Sequence, residues 1–320
     1  MEDNRWYEVF IEKLHEKFPK KSQLTQELMS LLKIEREAVY RRLRREVIFP
    51  SHEIIKLASA WNISLDEVIG ANYDNISFHL KLINFINPSD EEYKFMQQLV
   101  EGYRSLQNFP NAELMDITNK IPRPLISNYY NLTKFFYLRW TYQYGIDEEI
   151  VPFSKIYLSD KVIKLITEFT RVSKLIPNTY YIWDNNLFDY LANNIQYFYS
   201  INLMSDEDKE LIKKDLQDLL DYMQEVAHWG RYPETQNKVT LYLSQLNIDT
   251  NYTYGYSPET CFCLINVFGK NELFTYNAEM GANFKYWMQL KKKNSIQISE
   301  VDEKSRIEFF TKQKQLINSL

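Results

Sequence analysis

Apolar residues near the amino end recur at helical spacing. Trp6, Val9, Phe10 and Leu14 fall on one side of a helix predicted from about Asn4 to Phe18, which Pro19 closes. Thr25 stands at an N-cap position ahead of Leu28, Leu31 and Leu32. A third helix is predicted from Glu35 to Glu46. Pro50-Ser51 opens a fourth, with Ile54, Ile55, Leu57, Ala58 and Trp61 turned inward. Ser64 caps a last turn, Leu65 to Ile69, that ends at Gly70. Five short helices in about 70 residues predict a compact all-α bundle.

Beyond it the pattern changes twice. Ile76 to Asn87 fits a strand through Phe78, Leu80 and Leu82 and a helix through Leu82, Phe85 and Ile86. Ser89 caps a helix running to Leu106, and Ala112 to Thr118 reads as a short strand. Helices follow at about Leu125 to Tyr144, Ser159 to Leu175, Leu187 to Ile201 and Ser205 to Trp229. After Pro233 the period falls to two: Val239, Leu241 and Leu243 alternate, then Thr253 to Tyr256, Cys261 to Phe268 and Glu272 to Tyr276. Gly269-Lys270-Asn271 has the form of a hairpin turn. Helices at Ala278 to Leu290 and Asp302 to Asn318 flank a short strand, Ser295 to Ile298. The order predicts an α+β fold: an all-α five-helix bundle over 1–75, then a larger mixed domain over 76–320 with helices and an antiparallel sheet. The boundary falls at a short polar stretch, Asn72 to Asn75.

Composition narrows the function classes. With 45% hydrophobic residues among 320 the chain can bury a core, and no apolar run reaches the 18 or so residues of a membrane span. Glycine is scarce, 7 in all, and the seven never lie close enough to write a dinucleotide fingerprint or a P-loop. Two cysteines build no disulfide framework, and the acidic start Met1-Glu2-Asp3-Asn4 lacks the form of a secretory signal, so a reducing, cytoplasmic setting is expected. The net charge of −5 gives no global attraction to nucleic acid or anionic lipid. Any such attraction must be local.

One local surplus exists. Between Lys33 and Arg45 lie six bases, Lys33, Arg36, Arg41, Arg42, Arg44 and Arg45, against Glu35 and Glu37. At 100° per residue, Val39 and Leu43 point to the core of the third helix. Glu37, Arg41 and Arg44 form the opposite stripe, with Tyr40 and Arg45 at its edges. Base edges in a major groove are read by such a solvent-facing stripe of donors and acceptors.

The stretch Leu24-Thr25-Gln26-Glu27-Leu28, Leu32-Lys33-Ile34, Val39-Tyr40-Arg41, Pro50-Ser51, Ile55-Lys56-Leu57-Ala58 and Ile63-Ser64-Leu65-Asp66-Glu67-Val68 resembles the Cro and phage-repressor type of helix-turn-helix. The resemblance covers residues 22 to 70. It implies base contact by Arg36, Glu37 and Arg41, and phosphate contact by Gln26, which the family places at the opening of the preceding helix. Tyr40, Arg44 and Arg45 are the further candidates for phosphate, contacts that position a reader without specifying sequence. Three features depart from the family pattern. Lys33 replaces its glycine, and so must take the left-handed turn or change it. Arg42 replaces an apolar residue, leaving Leu43 to anchor the helix. Glu37 and Arg41 are spaced to form a surface salt bridge.

Elsewhere the chemistry is sparse. Cys261 and Cys263 would share one face of a strand about 7 Å apart, but His15, His52, His79 and His228 show no metal spacing with them. Tyr129-Tyr130, Phe135-Phe136-Tyr137 and Tyr180-Tyr181 are candidates for core or for a ligand pocket. Asp184, Asp189 and Glu259 show no acid–base pairing, and neither a catalytic residue nor a cofactor is indicated. The expectation is a sequence-specific transcriptional regulator, not an enzyme. Its partners would be double-stranded DNA, a second copy in a homodimer and an unidentified small-molecule effector, with no membrane. The alternatives are an adaptor that docks a protein on its helical bundle, and an enzyme with its active site in the C-terminal part.

Overall fold

The computed structural model describes residues 5–69, 78–84, 88–145, 150–267 and 271–320. Gly70, the Asn72 to Asn75 stretch, Gly269 and Lys270 lie outside them. The chain divides into two compact units, 1–77 and 78–320.

The first unit is all-α, with α1 (Arg5–Lys17), α2 (Lys21–Leu32), α3 (Arg36–Leu43), α4 (Ser51–Trp61) and α5 (Leu65–Ile69) among its described residues. Its core gathers Phe10 and Leu14 of α1, Leu24 and Leu28 of α2, Val39 of α3 and Leu57 of α4 around Phe49. Thr25 is not a cap: α2 begins four residues earlier, and the Thr25 hydroxyl, buried, donates to the Lys21 carbonyl at 2.8 Å. Ile55 faces outward at 59% exposure, because α4 buries only its Ile54, Leu57 and Ala58 side.

The second unit is mixed α+β around one eight-stranded sheet. Its strands are β1 (His79–Leu80), β2 (Glu113–Thr118), β3 (Asn178–Trp183), β4 (Lys238–Ser244), β5 (Tyr252–Tyr256), β6 (Cys261–Asn266), β7 (Glu272–Thr275) and β8 (Ser295–Gln297), in the order β1-β7-β6-β5-β2-β3-β4-β8. The sheet is not wholly antiparallel: β2, β3 and β4 run parallel at its centre, and antiparallel strands flank them. Parallel neighbours need long crossovers, and the chain supplies them as helices. After α6 (Asp90–Ser105), β2 leads to β3 through α7 (Arg123–Ile126), α8 (Tyr130–Tyr144) and α9 (Asp160–Lys174). The return from β3 to β4 runs through α10 (Asp189–Ser200) and α11 (Asp206–Trp229). The one helix expected from Leu125 to Tyr144 is thus two, parted at Ser127–Tyr129. Beyond β7, α12 (Ala278–Lys293) precedes β8, and α13 (Glu303–Asn318) follows it.

Local grammar sets the helix starts. Ser89 and Ser205 each form a reciprocal capping box, with Glu92 and Asp208, and Ser159 caps α9. Both faces of the sheet are covered. Trp183, Val239, Leu241 and Leu243 pack with α10, α11 and α13 on one side, while Met115, Ile117 and Ile182 pack with Phe284 and Met288 of α12 on the other.

Candidate nucleic-acid interface

Three residues, Lys33, Ile34 and Glu35, join α2 to α3. Lys33 takes the left-handed conformation, φ 56° and ψ 42°, and its N–H reaches the Met29 carbonyl at 2.9 Å. The turn that glycine usually makes is therefore made by a lysine, at a conformational cost of about 1 kcal/mol.

Helix α3 ends earlier than its periodicity predicts. Arg45 is left-handed at φ 65°, the Glu46 N–H bonds the Arg41 carbonyl at 2.9 Å, and the Arg45 N–H bonds the Arg42 carbonyl at 3.0 Å. These two bonds form a Schellman motif, which satisfies the last carbonyls and turns the chain away. Tyr7 holds the segment that follows. Its buried hydroxyl donates to the Arg42 carbonyl and accepts from the Phe49 N–H, each at 3.2 Å, and burial raises its pKa.

Val39 is fully buried, and Leu43 is partly buried against the same core. Arg36, Tyr40 and Arg44, four residues apart, line up on the outer side. The Arg36 Nε donates to the Tyr40 hydroxyl at 2.9 Å, and the guanidinium carbons of Arg36 and Arg44 stand 5.4 and 5.7 Å from the Tyr40 ring centre. Arg41 is 55% exposed. It does not pair with Glu37; its Nε lies 3.8 Å from Glu46, which also meets Arg44 at 3.5 Å.

Two expected contacts are placed differently. Arg45, expected at the edge of the α3 stripe, leaves the helix through the Schellman turn and pairs with Glu8 of α1 at 2.5 Å. Gln26 does not open α2, since the helix begins at Lys21; it is exposed on the second turn. Arg42 faces inward and donates to Glu53 of α4, so its charge is paired within the bundle and not presented with the other arginines.

The acids noted in the second unit occupy separate settings. Asp184 accepts from the backbone N–H groups of Asn186 and Ile248, at 2.8 and 3.0 Å, and so is structural. Asp189 lies near Lys312, and Glu259 is exposed on a loop. Cys263 is buried, and Cys261 meets Gly281 of α12 so closely that a β-carbon there would collide with its sulfur. Among the described residues no three His, Cys, Asp or Glu side chains gather as metal ligands, and no helix is long and apolar enough to cross a membrane.

The aromatic candidates divide. Phe135 and Tyr181 are core, the latter bonded to the Tyr232 hydroxyl at 2.9 Å, whereas Phe136 and Tyr137 line a cavity beside the sheet. The cavity also takes Asp116, Lys120, Arg123 and Arg139, none of them singled out by sequence. The one available signal was Lys120 and Arg123 just past the end of β2, where ligands of parallel sheets gather.

Compared with protein-family models, with curated proteins and with solved structures, the chain shows no significant match.

Proposed function

We propose that the protein is a sequence-specific DNA-binding regulator, in which the first unit reads duplex DNA and the second senses a ligand or dimerises. The observation that carries this reading is α3 itself. A short helix pinned by Val39 turns Arg36, Glu37, Tyr40, Arg41 and Arg44 outward, and a three-residue turn joins it to α2. A major groove admits one such helix, whose exposed donors and acceptors read base edges while neighbouring cations meet phosphates. Arg36 and Arg41 are the proposed base readers with Glu37. Arg44, Tyr40 and Gln26 are the proposed phosphate contacts, with Arg45 contributing less because Glu8 already engages it.

The test is fluorescence anisotropy of the full chain against a random duplex pool at two salt concentrations, followed by selection of the preferred site. A reader loses affinity steeply as salt rises, because bound phosphates release counterions. Salt-independent binding, or none, rejects the proposal.

A second reading, protein docking by the same bundle, draws on the apolar surface of Val47, Ile48 and Ile55, exposed by 36%, 40% and 59%. Retention of a protein partner by a chain that ignores DNA would favour it.

A further inference from the structure

The cavity of the second unit is bounded by the Asp116 and Thr118 face of β2, by β5 to β7 and by α6 to α9, and has a volume of about 380 Å³. That lies within the range of small-molecule sites. One wall is apolar, built from Phe95, Met96, Phe136, Trp140, Phe169 and Phe274. Helix α8 serves two interiors at once: Leu132, Phe135 and Leu138 enter the main core, while Phe136, Arg139 and Trp140 line the cavity.

The other wall carries charge, and among the described residues that line it the bases outnumber the acids. Lys81, Lys120, Arg123 and Arg139 face Asp116 and Glu272. Arg123 is committed to Glu272 in an ion pair. Lys81 sits over the Phe95 ring, its ammonium 5.3 Å from the centre. Among the described residues neither Lys120 nor Arg139 has a carboxylate partner. The Lys120 ammonium reaches the Asn266 side-chain oxygen, at 3.4 Å; the Arg139 guanidinium carbon stands 5.7 Å from the Phe136 ring centre, and its Nε is buried with no hydrogen-bond partner. Burial pushes the pKa of both downward, and the Arg139 charge pushes Lys120 further. Lys120 is still exposed to solvent at the cavity, whereas the Arg139 Nε is buried beside an aromatic wall, where an unpartnered donor costs stability unless an acceptor joins it.

We propose that this cavity binds a small amphiphilic organic carboxylate, its anionic head neutralised by Lys120 and Arg139 and its apolar body lying against Phe136, Trp140 and Phe169. Arg139 supplies a forked donor suited to carboxylate geometry, and Lys120 adds a compact charge. A polyphosphate fits poorly, since Arg123 is taken by Glu272 and Asp116 stands beside it as a second acid. An uncharged apolar molecule would leave the buried Arg139 Nε without an acceptor. The site lies wholly within the second unit and its occupancy is read without DNA, so its failure leaves the DNA-reading proposal standing, and the reverse.

Isothermal titration of the full chain with sodium decanoate, 1-decanol and sodium acetate tests this. The expected result is one saturable decanoate site per chain, at least about tenfold tighter than 1-decanol, with acetate too weak to measure. Arg139→Gln and Lys120→Gln should each erase the preference for acid over alcohol while alcohol binding persists, and Arg139→Lys should keep part of it. Persistence of alcohol binding separates loss of the head site from loss of the fold. Equal affinity for acid and alcohol, no saturable binding up to about 1 mM, or unchanged decanoate binding by a folded Arg139→Gln protein would each overturn the proposal. Should both Gln variants fail to fold, the wild-type comparison of acid with alcohol decides the matter alone.

Discussion

Arg42 donates to both carboxylate oxygens of Glu53, Nε to Oε2 at 2.8 Å and a terminal nitrogen to Oε1 at 3.0 Å, and so ties α3 to α4. The side chains are only 14% and 10% exposed, and a third bond runs from Arg42 to the Ala38 carbonyl at 3.2 Å. The pair fixes the angle at which α3 meets the bundle, and with it the direction its outer face points.

Removing one member leaves the other charged and desolvated. Arg42→Ala should lower the unfolding free energy by about 3 kcal/mol, whereas the double change Arg42→Met with Glu53→Met should cost much less. Urea unfolding of the three proteins provides the comparison. If the single and double variants lose stability equally, the charges are not coupled.

At the α2–α3 turn the expectation is a gain. Lys33→Gly relieves a left-handed lysine and should raise stability by up to about 1 kcal/mol, seen as a higher thermal midpoint. DNA affinity should stay within about threefold of wild type if the turn only positions α3.

On α3, Arg41→Ala should cost roughly 1 to 3 kcal/mol against the selected site and relax its base preference. Arg45→Ala should weaken all sequences slightly and alike, because the side chain is already engaged by Glu8. Binding curves on the selected and a scrambled duplex distinguish the two. Identical profiles would mean that the reading face is assigned wrongly.

Asp116 gives the protein a pH dependence. Burial, reinforced by Glu272 and opposed by Arg123 and Thr253, raises its pKa to about 7. The unfolded chain releases that proton near pH 4, so from about pH 4 to pH 7 the unfolded state binds fewer protons and stability falls as pH rises. Asp116→Asn should flatten the fall, by no more than about 4 kcal/mol over the window. Urea midpoints measured at four pH values would run parallel for the two proteins if Asp116 ionises normally.

Much of the architecture was legible because it follows local rules. Ser89, Ser159 and Ser205 cap helices where sequence places caps, and Val239, Leu241 and Leu243 alternate as strand residues do. What escaped depends on non-local contact. Strand β3 lies between two parallel neighbours under covered faces, so Thr179 to Trp183 shows no alternation and its tyrosines read as pocket residues. The early end of α3 escaped as well, because a left-handed Arg45 has no sequence signature. At the candidate interface, spacing placed Glu37, Arg41 and Arg44 on the outer stripe with Tyr40 at its edge, whereas Arg36 came only from the resemblance and its line-up with Tyr40 and Arg44 was not read. The Glu8 and Glu53 partners were not legible, being 37 and 11 residues from the arginines they hold. The cavity lining was illegible for the same reason.

The sheet terminates in β1, which matches only His79 with Phe274 and Leu80 with Leu273, and in β8, three residues long. Borders so brief offer few free amides and carbonyls to an incoming chain, which guards against stacking into fibrils. A second copy that continued the sheet would find few backbone partners at either border.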